Sequence, residues 1–262
     1  MVAPPSSAPR GGFRVAALAA SSGGVRALGA VAGGLPADFP VPVVVLQHRS
    51  PGTPDMLTDI LRARGRLPVR TAATGPLQAG VTVLPARTTA DLDRDGGLVL
   101  RPAPTLGGAD HLFSSAAGAF GAGVLAVVLT GRLADGAEGV RAVRRVGGRV
   151  IVQHPDDAEA PGMPSAALAT GCVEHALPLA LVAPALVAYT MAPGGADLLA
   201  VPLPPWARLG PPFRTDPTTG VPSSLTVPGD DGIPSDRKGR RADDEPLPRP
   251  PAQRPPRTAA RG

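Results

Sequence analysis

Aromatic side chains are almost missing from this chain: five Phe, one Tyr and one Trp among 262 residues, or 3%. A core must therefore be built from Val, Leu and Ala, which the 43% apolar content allows. The same scarcity removes the platforms on which bases stack. A net charge of +5, much of it Arg scattered through loops, therefore does not point to nucleic acid, and nucleic-acid binding is disfavoured. Cysteine is reduced to Cys172, so no internal disulfide can form, and its apolar neighbourhood Ala169-Thr170-Gly171-Cys172-Val173 reads as a small buried thiol. No stretch reaches the roughly eighteen consecutive apolar residues of a membrane span, so no membrane insertion is expected. Met1 to Gly12 lacks the apolar run of a secretory signal. The expectation is a soluble, cytoplasmic protein.

Proline and glycine, by contrast, are abundant at 34 and 33 residues, and they are unevenly spread. Residues 1–12 read as a flexible leader. Beyond 192, prolines interleave with Gly, Ser and charge, so residues 193–262 read as a Pro-rich basic disordered tail that buries too little apolar surface to offset its ordering entropy. Residues 13–192 are the expected folded domain.

Within it, short apolar runs alternate with amphipathic stretches. Strands are expected at Phe13 to Ala19, Val41 to Leu46, Val124 to Leu129 and Arg149 to Val152. Helices are expected after Gly24, at Pro54 to Arg64, Asp110 to Phe120, Ala137 to Val146, Met163 to Ala169 and Leu179 to Tyr189. From Pro68 to Arg101 shorter strands (Val81 to Leu84, Leu98 to Leu100) break at Asp93-Arg94-Asp95-Gly96, which reads as an antiparallel excursion on the sheet edge. The fold class is α/β: a doubly wound, mostly parallel sheet with helices on both faces and a small antiparallel excursion.

In such a sheet ligands bind beyond the carboxyl ends of the strands. Ser21-Ser22 follows the first strand, His48 the second, and Asp135 the strand ending at Leu129. These are the residue types of a nucleophile, a general base and the carboxylate that orients the base. A serine on the turn before a helix also lies near free backbone N–H groups that can hold an oxyanion. Each has an ordinary structural reading too: Ser21 as a helix cap, His48 as a hydrogen-bonded strand end, Asp135 as a turn residue. A dinucleotide site is disfavoured, because Gln47-His48 ends the second strand where an acidic residue belongs. His111 reads as a helical residue beside Asp110, and His154 and His175 as loop residues. No zinc spacing is present, and no cofactor is expected.

These motifs resemble the bacterial chemotaxis receptor methylesterases (CheB-type catalytic domains). Ala17-Leu18-Ala19-Ala20-Ser21-Ser22-Gly23-Gly24 is similar to the family's nucleophile segment. Val45-Leu46-Gln47-His48 with Pro51-Gly52 resembles its histidine segment, and Leu129-Thr130-Gly131 through Asp135-Gly136-Ala137 its aspartate segment. Gly162-Met163-Pro164 matches a further signature. The resemblance implies Ser21 as nucleophile, His48 as base, Asp135 as orienting acid, Ser22 as a second hydroxyl residue and the Arg132 amide as an oxyanion donor. It implies a methylated, chemoreceptor-like protein as substrate and partner, with glutamate and methanol as products. Arg132-Leu133 stands where the family usually carries Met-Gly, and a leucine there restricts the backbone. Thr105-Leu106-Gly107-Gly108 and Pro85-Ala86-Arg87-Thr88-Thr89 replace other family segments. No room for the family's receiver domain precedes Phe13, so regulation by an attached receiver is not expected. The altered loops keep open a weakly catalytic interaction module and a small-molecule esterase.

Overall fold

A computed structural model describes residues 12–49 and 55–201. Residues 1–11 of the expected leader (1–12), residues 50–54, and residues 202–262 of the expected tail (193–262) lie outside the described residues.

The elements are β1 (Val15–Ala20), α1 (Gly24–Gly34), β2 (Val43–Gln47), α2 (Leu57–Arg64), β3 (Val69–Thr71), β4 (Gly75–Pro76), β5 (Val81–Val83), β6 (Thr88–Leu92) and β7 (Gly97–Pro102). They continue with α3 (Gly108–Phe120), β8 (Val124–Val128), α4 (Ala137–Arg145), β9 (Arg149–Gln153), α5 (Gly162–Ala169), β10 (His175–Leu177), α6 (Leu179–Met191) and α7 (Gly195–Leu198). Seven strands form one parallel sheet in the order β10-β9-β8-β1-β2-β5-β3. The strand order turns back between β1 and β8, which opens a crevice at their carboxyl ends.

Alternate residues of each strand feed opposite faces. Leu18, Val43, Val45, Val127 and Ile151 pack with Leu28 and Val31 of α1, Leu61 of α2 and Leu186 and Tyr189 of α6. Ala17, Ala19, Val44, Leu46, Val128 and Val152 pack with Leu112 and Phe113 of α3, Val143 of α4 and Met163 of α5. Small residues on β1 let helices approach closely, so few aromatics are needed; Tyr189 and Phe113 are the bulkiest fully buried ones.

The expected fold class is what the structure has, with differences in detail. The segment 68–101 is not wholly an edge excursion. Its β3 and β5 extend the main sheet in parallel, with Val81 opposite Val43, and only β4, β6 and β7 form a separate antiparallel sheet. Three-residue strands leave too little pattern to reveal their partners. His175 lies in β10 rather than in a loop. Structure also continues past the expected boundary at 192. The helix α7 follows, and Val201 is held by the Glu174 carboxylate (N–H···Oε1 3.3 Å) and the Arg144 guanidinium (Nη2···O 2.8 Å). No helix among the described residues is long and apolar enough to cross a membrane.

Candidate active site

The parallel register carries Ser21, His48 and the 130–135 loop to one edge. Ala20 pairs with Gln47 across β1 and β2, so Ser21 and His48 leave neighbouring strands at the same level. The His48 N–H donates to Ala20 O (3.0 Å) and the Ser21 N–H to Thr130 O (2.9 Å), which ties three strand ends together.

His48 and Asp135 are joined directly: Nε2 lies 2.8 Å from Oδ2, with the carboxylate 3% and the imidazole 31% exposed. Asp135 is held from a second side by the N–H groups of Ala109 (2.9 Å) and Asp110 (3.0 Å) in the first turn of α3. Its carboxylate therefore occupies a helix N-terminus, where orphan N–H groups and the helix dipole favour negative charge. Burial pushes its pKa up, but the hydrogen bonds from His48, Ala109 and Asp110 outweigh that and hold it below the usual carboxylate range. Beyond the expected contact with His48, the Asp135 carboxylate caps α3, a helix that precedes it in the chain. Asp110 returns the arrangement, accepting from the Gly139 N–H in α4 (2.8 Å). Burial, followed by the negative charges of Asp135 and Glu138 against the Gly139 hydrogen bond, raises Asp110 to about 6.

Because Nε2 faces Asp135, Nδ1 is the nitrogen left to accept a proton. Ser21 is half-buried at the first turn before α1, and among the described residues no hydrogen bond joins its hydroxyl to the imidazole. The structure thus brings two of the three expected residues into contact and places the third on the adjoining strand end. Catalytic hydrogen bonds of this kind commonly tighten only with substrate bound.

The 130–133 segment adjoins Ser21. Thr130, 2% exposed, donates its hydroxyl to Ser22 O (2.9 Å) and receives the Ala160 N–H (2.9 Å). Gly131 donates to Ala160 O and receives the Met163 N–H, both at 2.8 Å. A methyl group on Gly131 would lie 2.1 Å from Met163 Sδ and 2.9 Å from Ser21 Cβ, so only glycine fits there. One on Gly162 would lie 2.7 Å from Leu133 N. These contacts fix Arg132, whose N–H has no backbone acceptor among the described residues. Leu133 takes φ 64° and is 65% exposed. The bulk expected to restrict the backbone sits in the left-handed region, which costs a non-glycine residue roughly 1–2 kcal/mol. The Ser22 side chain makes no hydrogen bond among the described residues.

Thr130, Gly131 and Met163 had no assigned role in the sequence. A threonine and glycine directly after a continuous apolar strand was the available signal. His111 pairs with Asp91 (2.7 Å), on the antiparallel sheet, and His154 packs against its own turn. Among the described residues no group of His, Cys, Asp and Glu has the arrangement of a metal site.

A cleft of ≈ 460 Å³ opens beside His48, lined also by Leu46, Arg49, Arg87, Thr88 and Thr105. Arg49 closes the base of the loop, bonding Asp55 (Nε···Oδ1 2.9 Å), Gln47 O (3.0 Å) and Leu84 O (2.7 Å). A histidine oriented by a buried carboxylate, with a serine on the neighbouring strand end, can support acyl transfer.

Residues 16–186 match the family model for CheB methylesterase. Protein-glutamate methylesterase/protein-glutamine glutaminase 3 of Anaeromyxobacter dehalogenans (strain 2CP-C) is 40% identical over 182 residues, covering 67% of this chain and 53% of that protein. The corresponding protein of the group 3 operon in Rhizobium meliloti (strain 1021) is 39% identical over 175 residues, covering 64% of this chain and 49% of its own length. The chain thus spans about half the length of these curated relatives. The crystal structure of the Thermotoga maritima CheB methylesterase catalytic domain is similar with a TM-score of 0.62 and 27% identity, over 67% of this chain and 97% of that domain. With the match spanning its strands, its site and its core, the chain belongs to the CheB methylesterase family.

Proposed function

We propose that the protein is a serine hydrolase that cleaves glutamyl γ-methyl esters on chemoreceptor-like proteins in the cytoplasm. The observation that carries this reading is the 2.8 Å contact between His48 Nε2 and the helix-capped Asp135 carboxylate, one strand away from Ser21. In the reaction, Ser21 Oγ attacks the ester carbonyl carbon as its proton passes to His48 Nδ1. Asp135 stabilises the imidazolium, and the oxyanion takes the Arg132 N–H, a donor typically worth about 3–4 kcal/mol of barrier. Collapse expels methanol with the proton from His48, and water then releases the acyl-serine as glutamate. Ser22 lines the same turn. The curated relatives' names pair this activity with glutamine deamidation, which follows the same steps with ammonia leaving.

The test is methanol release from a peptide carrying one γ-methyl glutamyl ester. Turnover is expected with the intact chain and its loss with Ser21→Ala. Well-folded protein that releases no methanol overturns the reading.

Leu133 favours a second reading, a weak hydrolase acting as an interaction module, because a bulky exposed side chain stands at the oxyanion segment. If His48→Ala alone reproduces the gene deletion, that reading fails. Faster turnover of short acyl esters than of methylated peptides would favour a small-molecule esterase.

A further inference from the structure

The cleft beside His48 carries a charge that the hydrolytic steps do not use. Of its two arginines, Arg49 is committed: its guanidinium is bound by Asp55 and by two backbone carbonyls, and its side chain is 14% exposed. Arg87 has no such commitment. It is exposed, and it makes no ion pair among the described residues.

Its backbone is nonetheless held in place. Arg87 sits at φ 59°, in the left-handed region that favours glycine. The turn is pinned on both sides, by Ala103 N–H to Arg87 O (2.8 Å) and by the Thr88 hydroxyl to Pro85 O (2.8 Å). Strain at a cleft wall, at a position where glycine would be easier, points to a use for the side chain it carries. A volume of ≈ 460 Å³ also exceeds the needs of a single methyl glutamyl group, leaving room for the residues around it. Among the described residues the acid that bonds to a cleft-lining arginine is Asp55, and it is spent on Arg49, so the Arg87 guanidinium leaves the cleft wall with unbalanced positive charge.

We propose that Arg87 binds the carboxylate of an acidic residue flanking the methylated glutamate, so that the enzyme prefers esters set in acidic polypeptide segments. The guanidinium presents a planar fork of donors that matches a carboxylate. Arg87 thereby selects substrate and takes no part in bond breaking. The inference rests on the hydrolytic reading above and names the substrate class of that site.

The experiment uses two peptides with one γ-methyl glutamyl ester each, alike except for flanking Glu in one and Gln in the other. The full chain should favour the Glu-flanked peptide about fivefold in kcat/KM, the size of an exposed ion pair, through KM and not kcat. The preference should shrink as salt rises. It should vanish in Arg87→Gln and Arg87→Gly and persist in part in Arg87→Lys. Arg87→Gly doubles as the folding control, since glycine adopts this φ freely and should melt no lower than the parent. Fluorescence anisotropy of both labelled peptides on Ser21→Ala separates the two claims. If neither peptide is hydrolysed but binding still favours Glu flanks in an Arg87-dependent way, the hydrolytic reading fails and the acid-reading cleft stands. If the peptides are hydrolysed and bound alike, or the preference survives in Arg87→Gly, the inference about Arg87 is overturned.

Discussion

Among the described residues Asp135 and Glu174 are the most deeply buried carboxylates, and their surroundings differ in a way that separates chemistry from architecture. Asp135 and Glu174 are 3% and 0% exposed in their side chains. Glu174 is surrounded by groups that keep one charge state: the Arg144 and Arg149 guanidiniums at 2.8 and 3.0 Å, the Val201 N–H, and the Tyr189 hydroxyl at 3.4 Å. Burial and then the Glu174 charge push the Tyr189 pKa up, so that hydroxyl stays protonated. Asp135 is bound by two fixed amides and by an imidazole that is 31% exposed, that of His48. Burial of a charge is therefore common to both places. A titratable partner with access to the crevice belongs to only one.

Substitutions can break this comparison in opposite senses. The largest effect should be on catalysis: His48→Ala is expected to lower kcat by 10³-fold or more while leaving the urea midpoint close to that of the parent, read by methanol release and by denaturation. Glu174→Ala should do the reverse. Removing one partner of a closed ion cluster strands two guanidiniums, so a loss of about 3–5 kcal/mol in urea unfolding is expected, with the pH profile of the surviving activity unmoved. If Glu174→Ala shifts that profile, the separation between the two sites is wrong.

Smaller changes sharpen the picture around the crevice. Gly131→Ala places a carbon 2.9 Å from Ser21 Cβ, and kcat should fall about ten- to a hundredfold with a modest stability loss. Asp110 and Asp135 should give opposite pH signatures. The depressed pKa of Asp135 gives stability that is present above its unfolded value of 3.8 and lost as pH falls through the folded pKa. Asp110, raised from 3.8 to about 6, keeps a proton in the folded state that the unfolded chain has released, so stability falls as pH rises through that window. Asp110→Asn should gain about 1–2 kcal/mol on the parent between the two ends of that window, measured as urea midpoints on either side. Smallest of all, Leu133→Gly should stabilise by about 1 kcal/mol by relieving the left-handed leucine, seen as a higher melting temperature.

The parts of the fold that were legible are those with a strong local signal. Strands β1, β2, β8 and β9 are continuous apolar runs because both faces of the sheet are covered, and the residues that follow them stand at the crevice by topology alone. That logic reaches Ser21, His48 and Asp135. It does not reach β3 and β5, whose parallel pairing is decided by neighbours distant in sequence. It also misses the end of the described structure: Pro193-Gly194 reads as a terminus, yet Val201 is fastened by Glu174, whose role is invisible until α4, β9 and α6 surround it. The same holds for the close approach of Met163 to Gly131 and for the cap that Asp135 supplies to α3, a helix that precedes it in the chain. Local pattern places strand ends; tertiary approach decides what each one touches.

The central claim is that Ser21 is a nucleophile activated through His48 and Asp135. Incubating the full chain with a serine-directed fluorophosphonate and locating the adduct by mass spectrometry tests it most directly. Labelling at Ser21 that disappears in His48→Ala and falls sharply in Asp135→Asn is the predicted result. An unlabelled Ser21 in folded protein, or labelling that proceeds equally well without the imidazole, would contradict it.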